Sequence, residues 1–405
     1  MNSRAGLDEA VGEFYKNTKL HISFIPRREF QINGWSGYVT RHKSFKTTEE
    51  IKTSLHRNPP SGFFASTARY LDPGFKNAEK GKDSMTNKQF VCSDLAFDLD
   101  YTDLPGHESR DYMENLQLIA DHTRRLIDKY LVQDLGINKD DLLISFSGGK
   151  GFHVRVPNMQ HLDKYARTNL QEYISGHNVE PEAVFDIQRV ERSMPVIRLR
   201  QSLNRSTYKG GWSGKVTATA WDFISELNEM SATEAVEAIK ENWPRHKTGP
   251  KKGQKKNCAN KTVQRMVTNI KNNMDKLVSG NITAALERNK SDIKNFTDLL
   301  MQKAIDEKGC AIDLSVTKDV KKQLRIPGSF HGGSGMPCVV ITYFDLILID
   351  STLTIVRDKL GDDEVTFTLT KPIQHPVAGN FEVGEHKEPR WKAIMALTTE
   401  RNSIR

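Results

Sequence analysis

The chain has 405 residues, enough for two to three domains with a core of their own, and an ordinary soluble composition, 37% hydrophobic and 27% charged. No run of about 18 apolar residues occurs, and the N-terminus MNSRAGLDEAVGEF carries acids where a secretion signal needs an apolar centre, so an intracellular protein without a membrane span is expected. Lysine and arginine number 59 against 51 acids, which permits a polyanionic partner without requiring one, and the four dispersed cysteines suggest neither a disulfide framework nor a cysteine-rich zinc site.

In chain order, DEAVGEFYKN predicts a helix, followed by short strands HISFI and WSGYVTRH. TTEEIKTSLHRN predicts a second helix ending at Pro59-Pro60. Residues 90–100, FVCSDLAFDLD, read as one strand, and ESRDYMENLQLIADHTRRLIDKYL as a long amphipathic helix. SFSGGKGFHVRVP, residues 145–157, lacks the Ser or Thr that must follow the lysine of a Walker A loop. Phe152, Val154 and Val156 alternate with His153 and Arg155, so the stretch reads as strand, turn, strand. LDKYARTNLQEYIS is a helix stopped by Gly176.

From 177 the texture changes. VIRLRQSLNRSTYKGGWSGKVTATAW reads as basic β structure, SATEAVEAIKENW as a helix opened by a Ser-x-x-Glu capping box, and RHKTGPKKGQKKN as a loop. TVQRMVTNIKNNMDKLVS and SDIKNFTDLLMQKAID are helices, after which CAIDL, CVVITYFDLILID and VTFTLT return to strands. The expected architecture is mixed α/β (α+β): a core in two parts, 1–176 and 305–405, interrupted by a largely helical insertion at 177–304.

Three stretches carry chemistry. Side chains two apart on a strand share a face about 6.8 Å apart, so Asp98 and Asp100 of LAFDLD point together while Phe97 and Leu99 enter the core. Two like charges so placed repel unless a cation joins them. The plain reading is a strand end meeting solvent or an arginine; the functional one is a platform for divalent ions in phosphoryl transfer, with Asp313 of CAIDLSV as a third carboxylate. In LRIPGSFHGGSG, residues 324–335, Arg325, Ser329 and His331 stand among glycines that let backbone amides approach a ligand. With these two motifs present, Ser147, Lys150, His153 and Arg155 read as a polar, cationic ledge suited to a triphosphate.

FDLD, SGGKGFH and RIPGSFHGGSG, in this order, resemble the three motifs of the archaeo-eukaryotic primases, and specifically the small, catalytic subunit of replicative DNA primase, archaeal type. IPRREF with Glu29, RHKSF with Arg41, STARYLDP, LDKYARTNLQEYI and IDLSVTKDVKKQLRIPGS extend the likeness over most of residues 10–180 and 305–340. The resemblance implies a primase-type core with a helical subdomain inserted between the second and third motifs. It implies Mg2+ or Mn2+ on Asp98, Asp100 and Asp313, and an incoming nucleotide held by Ser147, Gly148, Lys150, Gly151, His153, Arg325, Ser329 and His331. It further implies de novo primer synthesis from nucleoside triphosphates on single-stranded DNA during replication, with cytoplasmic, nucleoid-associated location. The partner it implies is an iron-sulfur large subunit.

Two departures stand out. Where many members carry a cysteine-rich zinc knuckle this chain has only His107 and His122, so no zinc is expected. Gly149 and Lys150 replace a common arginine pair, a form also found in the polymerase domains of bacterial end-joining ligases, which keeps a primase-like polymerase for end joining or lesion bypass as the alternative. A catalytically silent nucleic-acid-binding module is disfavoured by three intact carboxylates. Arg198, Arg200, Arg205, Lys209 and Lys215, interleaved with Tyr208 and Trp212, are expected either to form a solvated basic face or to touch template DNA.

Overall fold

A computed structural model describes residues 4–76, 84–156, 159–177, 179–189, 194–199, 211–245 and 254–403. They form two compact units, one from Met1–Val132, Ile137–Gln171 and Ala311–Arg405, the other from Gln133–Gly136 and Glu172–Cys310. The class is mixed α/β.

The first unit is built on two antiparallel sheets. One has the order Met336–Pro337, Phe330–His331, Gly62–Ser66, Phe30–Asn33, Val39–Lys43, and Gln323–Arg325 pairs with the free end of Gly62–Ser66. The other runs Val339–Ile341, Leu143–Phe146, Gly151–Val156, Leu95–Asp100. Alternation along Leu95–Asp100 decides the packing: Leu95, Phe97 and Leu99 are fully buried, while Asp98 and Asp100 on the opposite face stay partly open. The helix Tyr112–Arg125, opened by an Asp111–Glu114 capping box, buries Leu116, Ile119 and Ala120 in this unit's core.

A three-residue cluster brings the distant segments to this sheet. Ala96, on the same face as Asp98, packs against Val316 and Leu324, and the Thr317 hydroxyl donates to the Ala96 carbonyl at 3.2 Å. Burying these apolar groups sets Asp313, three residues before Val316, and Arg325, one after Leu324, beside the aspartate strand. Gly151 is required where the strands meet, because a Cβ there would lie 1.7 Å from the Leu99 carbonyl oxygen.

Several expectations need correction. HISFI forms no strand; Phe24 adopts a left-handed conformation, φ 59°, and the strand is Phe30–Asn33 instead. FVCSDLAFDLD is two strands, broken at Asp94, whose carboxylate draws Arg28 at 2.6 Å and Arg69 at 2.7 Å. CAIDL is not a strand: Asp313 caps the short helix Leu314–Lys318, accepting from the Ser315 amide at 2.7 Å. In CVVITYFDLILID only Val339–Ile341 is extended, and a helix, Ile349–Leu360, begins before the segment ends.

The second unit is mainly helical. Gly211–Glu229, Asn260–Asn272 and Lys290–Lys308 are its longest helices, packed through Phe223, Leu227, Met266, Phe296 and Leu300, beside the strand pair Phe185–Gln188 and Val196–Leu199. Ser231 and Glu234 form the expected capping box. Among its described residues the stretch read as basic β structure is a strand at Val196–Leu199 and a helix from Gly211 onward; Arg200, Arg205, Tyr208 and Lys209 lie outside the described residues. Nor is Lys215 a surface cation. Its ammonium is buried against Asp134 at 2.6 Å, and the Trp212 indole donates to the Tyr173 carbonyl at 2.6 Å.

Candidate active site

A cleft of about 530 Å³ opens in the first unit, lined by residues that include Asp98, Asp100, Lys150, Arg325 and His331. Asp100 spends one oxygen on the Thr102 amide at 2.8 Å and hydroxyl at 2.7 Å. Asp313 does not line the cleft, but its amide donates to the Asp98 carbonyl at 2.8 Å, which fixes its carboxylate near the pair. Burial, then the charges of Asp313 and Asp100, pushes the Asp98 carboxyl up to about 7. Lys322 lies 3.9 Å from Asp313 and lines the same cleft.

The three carboxylates are hard oxygen donors whose mutual repulsion Lys322 only partly offsets, the chemistry that suits a magnesium-class ion. Among the described residues no three ligand-type side chains close into a cage. An open platform is compatible with such ions, which keep water and substrate oxygens in their shell.

The hairpin Leu143–Phe146 to Gly151–Val156 brings His153 directly opposite Asp98. Its Nε2 lies 3.4 Å from Asp98 Oδ1 and its Nδ1 has no partner. Burial, followed by the charges of Arg155 and Arg325, lowers its pKa to about 3, so the ring is neutral at physiological pH. The turn itself is pinned: Tyr112 donates to the Gly149 carbonyl at 2.8 Å and the Ser334 hydroxyl to that of Gly148. Gly148 takes φ 85°, a conformation glycine adopts without strain. Lys150 at its tip is exposed over the cleft.

In the third motif, Arg325 donates to the Phe330 carbonyl at 2.8 Å and stacks on Phe64, 4.6 Å from the ring centre. His331 Nδ1 accepts from the Gly333 and Ser334 amides, both at 3.1 Å, so its proton sits on Nε2. Nε2 faces the turn, where a Cβ on Gly149 would come within 3.0 Å of it. Burial, then Arg325, lowers this histidine to about 3, leaving a neutral donor.

The structure thus gathers Asp98, Asp100, Ser147, Lys150, His153, Arg325 and His331 around one cleft, with Asp313 beside it. Gly148 and Gly151 shape its turn. Two residues of the expected set point elsewhere. Ser329 is fully buried, and its hydroxyl donates to the Phe63 carbonyl at 3.2 Å. Arg155 does not line the cleft; its guanidinium turns to Asp94, 3.8 Å away. Sequence reasoning missed Tyr101, Tyr112, Lys322, Gln323, Gln374 and His375. Lys322 and Gln323 lie in KKQLR, directly before the singled-out Arg325, and the strand Gln323–Arg325 puts Gln323 on the face of Arg325; Gln374 and His375 had no signal near a motif.

A family described as DNA primase small subunit matches residues 97–343, more than half of the chain and all three motifs. The DNA primase small subunit PriS of Haloarcula marismortui is 30% identical over 383 residues, 91% of this chain and 89% of the relative. That of Methanococcoides burtonii is 29% identical over 81% of this chain and 79% of its own length, and that of Methanosarcina mazei 28% over 96% and 94%. With the family match spanning both aspartate strand and glycine loop, and these relatives aligned over most of their lengths, the chain belongs to the DNA primase small subunit family.

Proposed function

We infer that this chain is the catalytic subunit of a DNA primase, a DNA-directed nucleotidyltransferase that makes short primers from nucleoside triphosphates on single-stranded DNA. The observation that carries the reading is that the Asp98 and Asp100 carboxylates share one cleft with Lys150, Arg325 and His331. A 3′-hydroxyl attacks the α-phosphorus, the bond to the β-phosphate oxygen breaks, and pyrophosphate leaves.

Each side chain has a part in this scheme. Lys150 and Arg325 offset the charge of the triphosphate, Arg325 as a fork held rigid by Phe330 and Phe64. His331 donates Nε2–H to a phosphate oxygen, and, being neutral, keeps that geometry across the physiological pH range. His153, beside Asp98, has its proton count fixed in the same way. Asp98, Asp100 and Asp313 would hold divalent ions, Mg2+ or Mn2+, which when bound polarise the phosphoryl oxygens and neutralise the charge that develops in transfer. Ser147 accepts from the Gly151 amide at 3.3 Å and so shapes the turn under the phosphates.

The family name describes a small subunit and thereby a complex with a partner; we propose that this is an iron-sulfur large subunit. Among the described residues no helix is long and apolar enough to cross a membrane. The deciding assay is incorporation of labelled ATP or dATP on poly-dT, with and without primer. Product without primer supports the primase reading; incorporation restricted to primed or end-aligned DNA, even with a partner subunit added, would favour a gap-filling or end-joining polymerase.

A further inference from the structure

In the glycine loop Gly332–Gly335 the amides and the Ser334 hydroxyl are bonded to Ser61, Gly148 and His331, whereas its carbonyls are held by a part of the chain beyond the family match, which ends at residue 343. Three consecutive carbonyls of this loop point to C-terminal side chains. Asn402 Nδ2 donates to Gly332 at 2.8 Å and to Gly333 at 3.2 Å, and His375 Nε2 donates to Ser334 at 2.8 Å. The donor role of His375 is fixed by its other nitrogen, for Nδ1 accepts from the Val377 amide at 3.1 Å and the Ala378 amide at 2.9 Å. His331 uses the same device with the amides two and three residues on, those of Gly333 and Ser334.

The two histidines therefore act in series. With its carbonyls drawn toward the C-terminal segment, the loop turns its Gly333 and Ser334 amides to His331 Nδ1, and those amides force the proton onto His331 Nε2. Three glycines in five residues make the loop costly to order on its own. His375 is buried and adjoins Gln374 and Pro376 in the cleft wall, so the anchor lies beside the site it orders.

We propose that His375 and Asn402 are positioning residues for the triphosphate: by holding the Gly332–Ser334 carbonyls they fix the direction and tautomer in which His331 offers Nε2–H to the nucleotide. The inference rests on the reading of the cleft as a nucleotide site. Loss of one buried hydrogen bond through which a ligand contact is set should raise the apparent KM for nucleotide about five- to tenfold, with little change in primer-template affinity.

The test compares His375→Asn with His375→Gln in the full chain extending a primed template. Asparagine restores the acceptor at the Nδ1 position but not the donor to Ser334; glutamine reaches the Nε2 position and restores that donor. Glutamine is expected to keep nucleotide KM within about twofold of wild type while asparagine raises it. The reverse order, or equal effects, would show a packing role and overturn the proposal. Asn402→Ala, which tests the Gly332 and Gly333 contacts, should raise nucleotide KM as well, and carries the test if His375→Asn does not fold; an unchanged value overturns the proposal. In a His331→Ala background, His375→Asn should add nothing further, and additive effects count against it. A raised KM in His331→Ala with wild-type behaviour in His375→Asn defeats this inference alone; a wild-type KM in His331→Ala defeats the nucleotide-site reading and this inference together.

Discussion

The Asp313 amide donates to the Asp98 carbonyl at 2.8 Å, a bond that ties a helix-capping carboxylate to the strand that carries Asp98 and Asp100, 215 positions earlier in the chain. Backbone rather than side chain makes the tie, so it uses no carboxylate oxygen, although Asp313 turns its own to Ser315 and Asp100 turns one to Thr102. Charges of one sign gathered in this way weaken a fold unless they serve a ligand.

From this follows a prediction with two signs. Asp98→Asn should cut nucleotide incorporation by more than about 100-fold, since several kcal/mol of charge stabilisation is lost. In EDTA, however, it should stabilise the fold by on the order of 1 kcal/mol, through removal of a poorly paired buried charge. Magnesium or manganese should then raise the melting temperature of wild type and not of the variant. Retained polymerisation, or an equal metal-induced shift in both proteins, would remove Asp98 from the metal platform.

Lys150→Ala should act differently, on nucleotide rather than on the fold. The side chain is exposed at a turn held by bonds from Tyr112 and Ser334 to the Gly149 and Gly148 carbonyls, not to Lys150. A charge-assisted contact of this type corresponds to about 10- to 100-fold in nucleotide affinity, with melting temperature unchanged. Steady-state KM and a nucleotide-binding titration would detect it, and an unaltered value in both would place the triphosphate elsewhere.

What the sequence disclosed was periodicity and chemistry within short windows. The alternation in LAFDLD and GFHVRV put Asp98 and His153 on cleft-facing positions, and the structure pairs them across the sheet. Asp313 was read on a strand and is a helix cap, yet its carboxylate arrives at the same place, because Ala96, Val316 and Leu324 pack together whatever the local element. Burial was not legible. Ser329 in a glycine-rich loop and Lys215 in a basic stretch looked exposed, and each is sealed by a partner far off in sequence, Phe63 and Asp134. His375 and Asn402 had no local signal, since their role lies in bonds to carbonyls about 40 and 70 residues away.

Lys215 accordingly belongs to stability and not to DNA contact. Replacing it with methionine leaves Asp134, which is buried and already has one oxygen without a partner, with the Tyr173 hydroxyl at 2.7 Å but without its counter-ion. A cost of about 3–5 kcal/mol is expected in denaturant unfolding. The slope of single-strand affinity against salt should not change. A flatter slope in a folded Lys215→Met protein would restore the DNA-binding reading of this residue.

Acid should loosen the catalytic unit through His122, whose Nδ1 accepts from the Ala311 amide at 3.0 Å, two residues before Asp313. Burial, then Arg125, lowers this histidine to about 4, against about 6.5 for an unfolded chain. A depressed histidine folds best when neutral. Its contribution is thus complete above about pH 6.5 and declines as pH falls toward 4. His122→Asn keeps an acceptor but cannot protonate, so its stability between pH 6.5 and 4 should fall less steeply than wild type, by up to about 1.4 kcal/mol per pH unit. Parallel pH profiles for the two proteins would show that His122 is not the group responsible.

The last prediction concerns how synthesis starts. Initiation requires two nucleotides side by side with no primer terminus to hold one of them, whereas extension requires one nucleotide beside a base-paired end. The cleft measures about 530 Å³, a volume suited to a single ligand of nucleotide size, and the cations that line it are Lys150, Lys322 and Arg325, with His331 a neutral donor among them. A second triphosphate would add several negative charges for these same three cations to share, one of which already lies 3.9 Å from Asp313. The isolated chain should therefore extend a primed template readily and start new chains slowly, and a partner subunit that holds the initiating nucleotide should raise the starting rate far more than the extension rate. Measuring both rates on one template, for the chain alone and with the candidate large subunit added, separates the steps. If the chain alone starts primers as fast as the pair, the cleft accommodates both nucleotides and the need for a partner at initiation is refuted.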